Sequence, residues 1–214
     1  MSGHTHPCVI PHPVPHLTIG TLGHRGHGKT TLAAALTAAR TPGAPGLRRP
    51  RYPHRPRRRF RYATDTRRYT LLDPAEGPEH PEHPEDPEDR EGWEDRQDPL
   101  DPGGLGGLDG AVLVVSVLEG ARSGTADHLA LARRSGLAHL VVALSMADAG
   151  NDELTELVES DVRAQLTAHG FAGESLPAVR VSARRALEGD PRWQGTIEAL
   201  LDAVDTYVPL PEVP

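Results

Sequence analysis

Eight consecutive residues, Gly23-His24-Arg25-Gly26-His27-Gly28-Lys29-Thr30, read G-x-x-x-x-G-K-T. They follow a short apolar stretch, His16 to Leu22, and precede a helix-forming run, Thr30 to Ala39. A glycine turn between a strand and a helix is a device for holding phosphate. The glycines let backbone amides curl around phosphate oxygens, and the helix start adds partial positive charge. Lys29 then bridges the β- and γ-phosphates, and Thr30 offers its hydroxyl to Mg²⁺. Of the 23 basic residues in the chain, all except Lys29 are arginine. A compact ammonium and a planar guanidinium differ wherever a cation must fit between ligands. The lone lysine therefore falls where its identity matters.

The rest of the 214 residues alternates between ordered elements and two biased blocks. From Arg40 to Arg68 the net charge is +10, and from Glu76 to Asp101 it is −10. The acidic block repeats Pro-Glu-His and Pro-Glu-Asp triplets between Pro78 and Asp89. Proline at every third position blocks helix and central strand, and little there is apolar. Residues 74–108 are expected to form an acidic, Pro-rich insert, 41–58 a basic loop, and 1–15 a disordered tail. Between them, Phe60 to Thr66 and Arg68 to Leu72 suit a hairpin, and Ala111 to Leu118, AVLVVSVL, suits a strand buried on both faces. A helix from Ser123 to Ser135, a strand from His139 to Leu144 and a helix capped by Asn151 and running to about Ala168 follow. A strand from Ala178 to Ser182 and a helix from Trp193 to Tyr207 complete the pattern. This alternation predicts an α/β fold, a mostly parallel sheet with helices on both faces and two long irregular loops.

Composition narrows the function classes. No apolar run approaches the roughly 20 residues of a membrane span. The single cysteine, Cys8, cannot form an internal disulfide, which points to a reducing cytoplasm. A net charge of −7 argues against nucleic acid as a partner of the whole chain. The Arg-rich 40–68 segment admits two readings. It is a ribosome- or RNA-facing arm with Phe60 and Tyr62 for stacking, or a solvated loop neutralised by the acidic block beside it. The His-rich stretches around His4 to His16 and at His80 and His83 have irregular spacing for a metal site.

The run His16 to Thr37, HLTIGTLGHRGHGKTTLAAALT, resembles the first strand, P-loop and helix of the elongation factor Tu family of translational GTPases. The resemblance continues in Asp109 to Ser116, His128 to Arg133, Glu153 to Glu159 and Ser182 to Asp190, and ends near Tyr207 to Pro211. It implies a P-loop NTPase G domain over 16–211 that binds GTP or GDP with Mg²⁺. The resemblance covers that domain only; counterparts of the family's two following β-barrel domains are missing, so tight delivery of aminoacyl-tRNA is not expected.

Carried over residue by residue, the resemblance implies a phosphate site made of Gly23, His24, Arg25, Gly26, His27, Gly28, Lys29, Thr30 and Thr31. Lys29 is also the implied catalytic cation. The guanine motif, Asn-Lys-x-Asp in the family, reads Ser145-Met146-Ala147-Asp148 here. Asp148 keeps the carboxylate that accepts from the guanine edge, while Met146 replaces a lysine and contributes no charge. The alternative is a plain strand-to-helix turn. Ser182, Ala183 and Arg184 resemble the second guanine loop. The metal residues implied are Thr30 and Asp73.

The second metal motif reads Asp73-Pro74-Ala75-Glu76-Gly77, with Glu76 in place of a glycine and Gly77 in place of the family's water-positioning histidine. The threonine of the family's first switch has no counterpart in Arg57 to Tyr62, and Arg25 and Gly26 alter the P-loop. The expected function is guanine-nucleotide binding with weak or absent GTP hydrolysis by a cytoplasmic monomer. The alternative is a non-hydrolysing nucleotide-binding module or an RNA-contacting one.

Overall fold

The computed structural model describes residues 14–40, 57–74, 105 and 107–210. The chain opens with β1 (His16–Leu22) and α1 (Lys29–Ala39), then pairs β2 (Arg57–Ala63) with β3 (Arg68–Pro74). It continues with β4 (Gly110–Ser116), α2 (Ser123–Arg134), β5 (Leu140–Ser145) and α3 (Asp152–Ala168). β6 (Ala178–Arg180), α4 (Ala183–Leu187) and α5 (Pro191–Tyr207) close it. The six strands lie in the order β2-β3-β1-β4-β5-β6. Every pair is parallel except β2–β3, where Tyr62 faces Tyr69 across an antiparallel ladder.

The two-faced apolar run at 110–116 explains the layering. Successive strand residues point to opposite faces. Val112 and Val114 enter one core with Leu32 and Leu36 of α1 and Ile197 and Leu200 of α5. Ala111, Leu113 and Val115 enter the other with Leu129 of α2 and Val158, Val162 and Leu166 of α3. Each buried valine or leucine removes enough apolar surface to contribute about 1.5–3 kcal/mol before its entropy cost. Helix starts follow local chemistry. Asn151 accepts from the Leu154 amide and Asp190 from the Arg192 amide, with Pro191 in the first turn of α5.

The edge strand β2 alternates in the same way. Tyr62 is buried and stacks on Tyr69 with ring centroids 4.9 Å apart, while Phe60 packs against the core. Arg59 and Arg61 face solvent. The ring of Tyr62 is therefore taken up by the sheet and is not available for base stacking. Burial raises the hydroxyls of both Tyr62 and Tyr69 above the usual phenol range. Tyr69 donates to Asp205 of α5, which ties the C-terminal helix to β3.

The limits of the irregular segments are narrower than the sequence suggested. β2 begins at Arg57, inside the span read as a basic loop. Pro15 accepts a hydrogen bond from the Arg68 amide at 2.9 Å. Leu105 is buried, and Leu108 packs on the second core. These contacts extend the fold into the ends of the tail, the basic loop and the insert. Residues 1–13, 41–56 and 75–104, with Cys8, Glu76, Gly77, His80 and His83, lie outside the described residues. No described helix is long and apolar enough to cross a membrane.

Candidate nucleotide and metal site

The site forms at the carboxyl ends of β1, β3, β4 and β5, where an open parallel sheet offers loop ends and helix starts to a ligand. The glycine turn is held tightly against β4. Gly23 adopts φ +131°, and a Cβ there would lie 2.2 Å from the Val114 carbonyl oxygen. Gly28 adopts φ +87° at the N-cap of α1, so the chain leaves the loop directly into the helix. The loop closes on its own lysine. Lys29 is 5% exposed, and its Nζ donates to the carbonyls of Gly23 at 2.9 Å and His24 at 2.8 Å. His27 is fully buried under the loop with its Nδ1 3.3 Å from the Val114 carbonyl. Burial holds its pKa below the usual imidazole range, only partly offset by that carbonyl and by Glu119. Arg25 and Thr31 are exposed on the rim, and Gly26 sits at the crown with φ +84°.

The two residues read as metal ligands meet. Thr30 Oγ1 donates to Asp73 Oδ2 at 2.6 Å, and Asp73 is 1% exposed at the end of β3. Thr21 Oγ1, from the end of β1, donates to the other carboxylate oxygen at 2.8 Å. Each hydroxyl spends its one proton on Asp73 and keeps its lone pairs. An all-oxygen set of one hydroxyl and one oriented carboxylate fits a hard cation that retains several waters, such as Mg²⁺. Thr21 was not singled out in the sequence. Its signal is a polar residue at the carboxyl end of a buried strand, directly before the glycine turn.

The second loop reaches the first through Ser145. Its hydroxyl donates to the His27 carbonyl at 2.6 Å, so β5 and the phosphate loop are joined by a buried bond. Met146 adopts φ +58°, the one non-glycine residue with positive φ among those described. Its sulfur accepts from the fully buried Ser116 hydroxyl at 3.4 Å, and its methyl would lie 4.0 Å from a Cβ on Gly28. A side chain held in the left-handed region costs about 1–2 kcal/mol, and here it lays Met146 along the loop.

Asp148 pairs with Arg185 at 3.4 Å. Ser182 caps α4 by accepting from the Arg185 amide, Ala183 opens that helix, and Arg184 pairs outward with Glu188. The Ala147 amide donates to the Val181 carbonyl, which places the 145–148 and 182–184 loops side by side. Arg185 was missed in the sequence because its role comes from α4, a five-residue helix too short to announce itself by periodicity.

The profile of the Elongation factor Tu GTP binding domain matches residues 102–210. The chain belongs to the elongation factor Tu GTP-binding domain family. A curated relative, Elongation factor Tu 2 of Streptomyces avermitilis, is 49% identical over 210 residues, which span 92% of this chain. The chain spans about half the length of that relative. The six-stranded, mostly parallel sheet agrees with an elongation factor Tu-type G domain. Within it, the glycine turn, the Thr30–Asp73 pair and the two loops at 145–148 and 182–184 share one end of the sheet.

Proposed function

We propose that this G domain binds GDP and GTP together with Mg²⁺ and hydrolyses GTP weakly or not at all. The observation that carries the reading is the juxtaposition of the buried Lys29 ammonium with the Thr30–Asp73 pair at the mouth of one glycine turn. Gly23 to Thr31 cradle the β-phosphate with amides and the Lys29 charge, once Lys29 exchanges two loop carbonyls for phosphate oxygens. Thr30 and Asp73 hold Mg²⁺, which neutralises charge between the β- and γ-phosphates when bound. Asp148 accepts from the guanine edge after Arg185 swings aside, with Met146 covering the base by contact and Ser182, Ala183 and Arg184 closing the far side.

Weak hydrolysis is proposed from the segments that would complete the site. Positioned water and a closed metal shell depend on segments that here read Glu76-Gly77 and Arg57 to Tyr62, without the family's glycine, histidine or threonine. By the resemblance, Glu76 stands where the family has a glycine and adds a negative charge to that motif, and Gly77 stands where the family has its histidine and has no side chain to orient water. Binding of a diphosphate does not need either group. A non-hydrolysing nucleotide module is the limiting form of this reading.

Equilibrium titration with fluorescent GDP, with and without Mg²⁺, tests the binding. Lys29→Ala should weaken GDP by about 3 kcal/mol, more than a hundredfold, because phosphate charge is left unpaired in a desolvated cradle. Equal affinity in wild type and Lys29→Ala would remove the assignment. Single-turnover GTP hydrolysis should run on the order of 10⁻⁴ s⁻¹ or slower, the range of a P-loop protein without an activator. Rapid turnover that collapses in Arg25→Ala would identify a rebuilt GTPase site instead.

A further inference from the structure

Two histidines of the phosphate loop and a glutamate of the turn after β4 converge. One ligand atom from each of His24, His27 and Glu119 lies within 4.8 Å of the others. The rings of His24 and His27 are 5.2 Å apart, and His27 Nε2 is 3.5 Å from Glu119 Oε2. His24 Nδ1 is 2.7 Å from the Arg25 carbonyl, and His27 Nδ1 is 3.3 Å from the Val114 carbonyl. A carbonyl only accepts, so both Nδ1 atoms carry a proton, and in the neutral ring each Nε2 presents a lone pair. Backbone carbonyls hold metal-binding imidazoles in this tautomer and orientation elsewhere.

The fully buried His27 supplies the second observation. Its Nε2 has no hydrogen-bond partner and is directed into the cluster. Buried polar atoms are nearly always satisfied, so an orphaned lone pair aimed at another imidazole and a carboxylate calls for a ligand. His27 Nε2 and Glu119 Oε2 stand at ion-pair distance, 3.5 Å, but make no hydrogen bond, so this contact alone leaves the buried nitrogen unsatisfied. Gly124 supplies the room. A Cβ there would come within 3.3 Å of His24 Cδ2. Glu119 is 38% exposed, and the oxygen that faces His27, Oε2, also pairs with Arg122 at 3.3 Å, which holds the carboxylate at the cluster.

We propose that His24 Nε2, His27 Nε2 and a Glu119 carboxylate oxygen form a site for one divalent transition-metal ion of the zinc class. Two imidazoles and a carboxylate select zinc, cobalt or nickel over magnesium, which prefers oxygen alone. A tetrahedral ion with bonds near 2.0–2.1 Å sets its ligand atoms about 3.4 Å apart, a spacing His27 and Glu119 already have at 3.5 Å and that the cluster, within 4.8 Å throughout, must close towards. Water completes the fourth position. The ion clips the crown of the phosphate loop to the turn after β4, a site separate from the Thr30–Asp73 pair.

Cobalt titration of the full chain in excess Mg²⁺ tests this, because tetrahedral Co²⁺ absorbs strongly in the visible and octahedral Co²⁺ does not. Wild type should develop one saturable band that Zn²⁺ abolishes. Glu119→Gln keeps the shape of the side chain and leaves every histidine in place, so other histidines contribute equally to both proteins. It should weaken Co²⁺ by ~10-fold or more. Imidazole ¹⁵N spectra of the wild type should show His27 Nε2 shifting on addition of Zn²⁺, a readout that does not depend on how the variant folds. Absence of the band, an unchanged titration in Glu119→Gln, or a His27 Nε2 resonance indifferent to excess Zn²⁺ would each overturn the site.

Discussion

Replacing Gly23 with alanine tests the loop geometry at the point where it has least freedom. The new Cβ would stand 2.2 Å from the Val114 oxygen and 3.2 Å from its carbon, where contacts below 3.0 Å do not persist. Val114 cannot yield. It lies fully buried in β4 opposite Ala143 of β5, and its oxygen already faces His27 Nδ1. The loop must therefore retreat by about 1 Å in a close-packed setting. Alanine at φ +131° adds about 1–3 kcal/mol of backbone strain. Together these give about 3 kcal/mol or more, a fall of roughly 6–12 °C in Tm for a domain of this size. Displacing the phosphate-facing amides by that distance should cost about 100-fold in GDP affinity, by analogy with other misplaced site groups. Gly26→Ala is the internal control. At φ +84° it bears strain of its own, but its Cβ meets nothing within 4 Å. Calorimetric titration and thermal melting of both variants decide the matter. If Gly23→Ala melts and binds GDP like Gly26→Ala, the loop is not seated on β4 as described.

Thr21→Val keeps the shape of the residue but leaves Asp73 Oδ1 without its donor, which should cost about 1–3 kcal/mol of stability and reduce the Mg²⁺ dependence of GDP binding. An unchanged melt and an unchanged Mg²⁺ titration would separate Thr21 from the site. Burial lowers the pKa of His27 and of His128, the latter further through Lys29. The unfolded chain then binds more protons than the folded one, so stability should fall as pH drops below about 6.5 towards the depressed folded values. Urea midpoints across that range check the sign, and a flat profile would contradict it. Met146→Lys should tighten GDP if the 145–148 loop covers the base, and leave ADP unaffected.

The sequence carried the layers of the fold because its signals were redundant there. The glycine turn between apolar strand and helix, the run at 111–118 and the Asn151 cap each arise from local chemistry and agree with the whole. Boundaries drifted where tertiary contacts set them. β2 reaches back to Arg57 because Tyr62 finds Tyr69 and the ladder extends outward from that pair. Ser145 and Asp148 could be placed by resemblance, but the bond from Ser145 to the His27 carbonyl joins residues distant in sequence and leaves no local pattern. The same holds for Thr21, whose meaning depends on Asp73 arriving from β3. Glu119 reads as an ordinary turn acid until the fold sets it beside two histidines of the phosphate loop.

The proposed role of this cradle is to hold a guanine nucleotide. Calorimetric titration of GDP and of ADP in Mg²⁺, for wild type and Asp148→Asn, tests it most directly. A carboxylate that accepts from the guanine edge rejects a base lacking those donors. Wild type should prefer GDP, and Asp148→Asn should lose that preference while retaining phosphate-driven binding. A GDP-to-ADP ratio that is the same in both proteins would contradict the account.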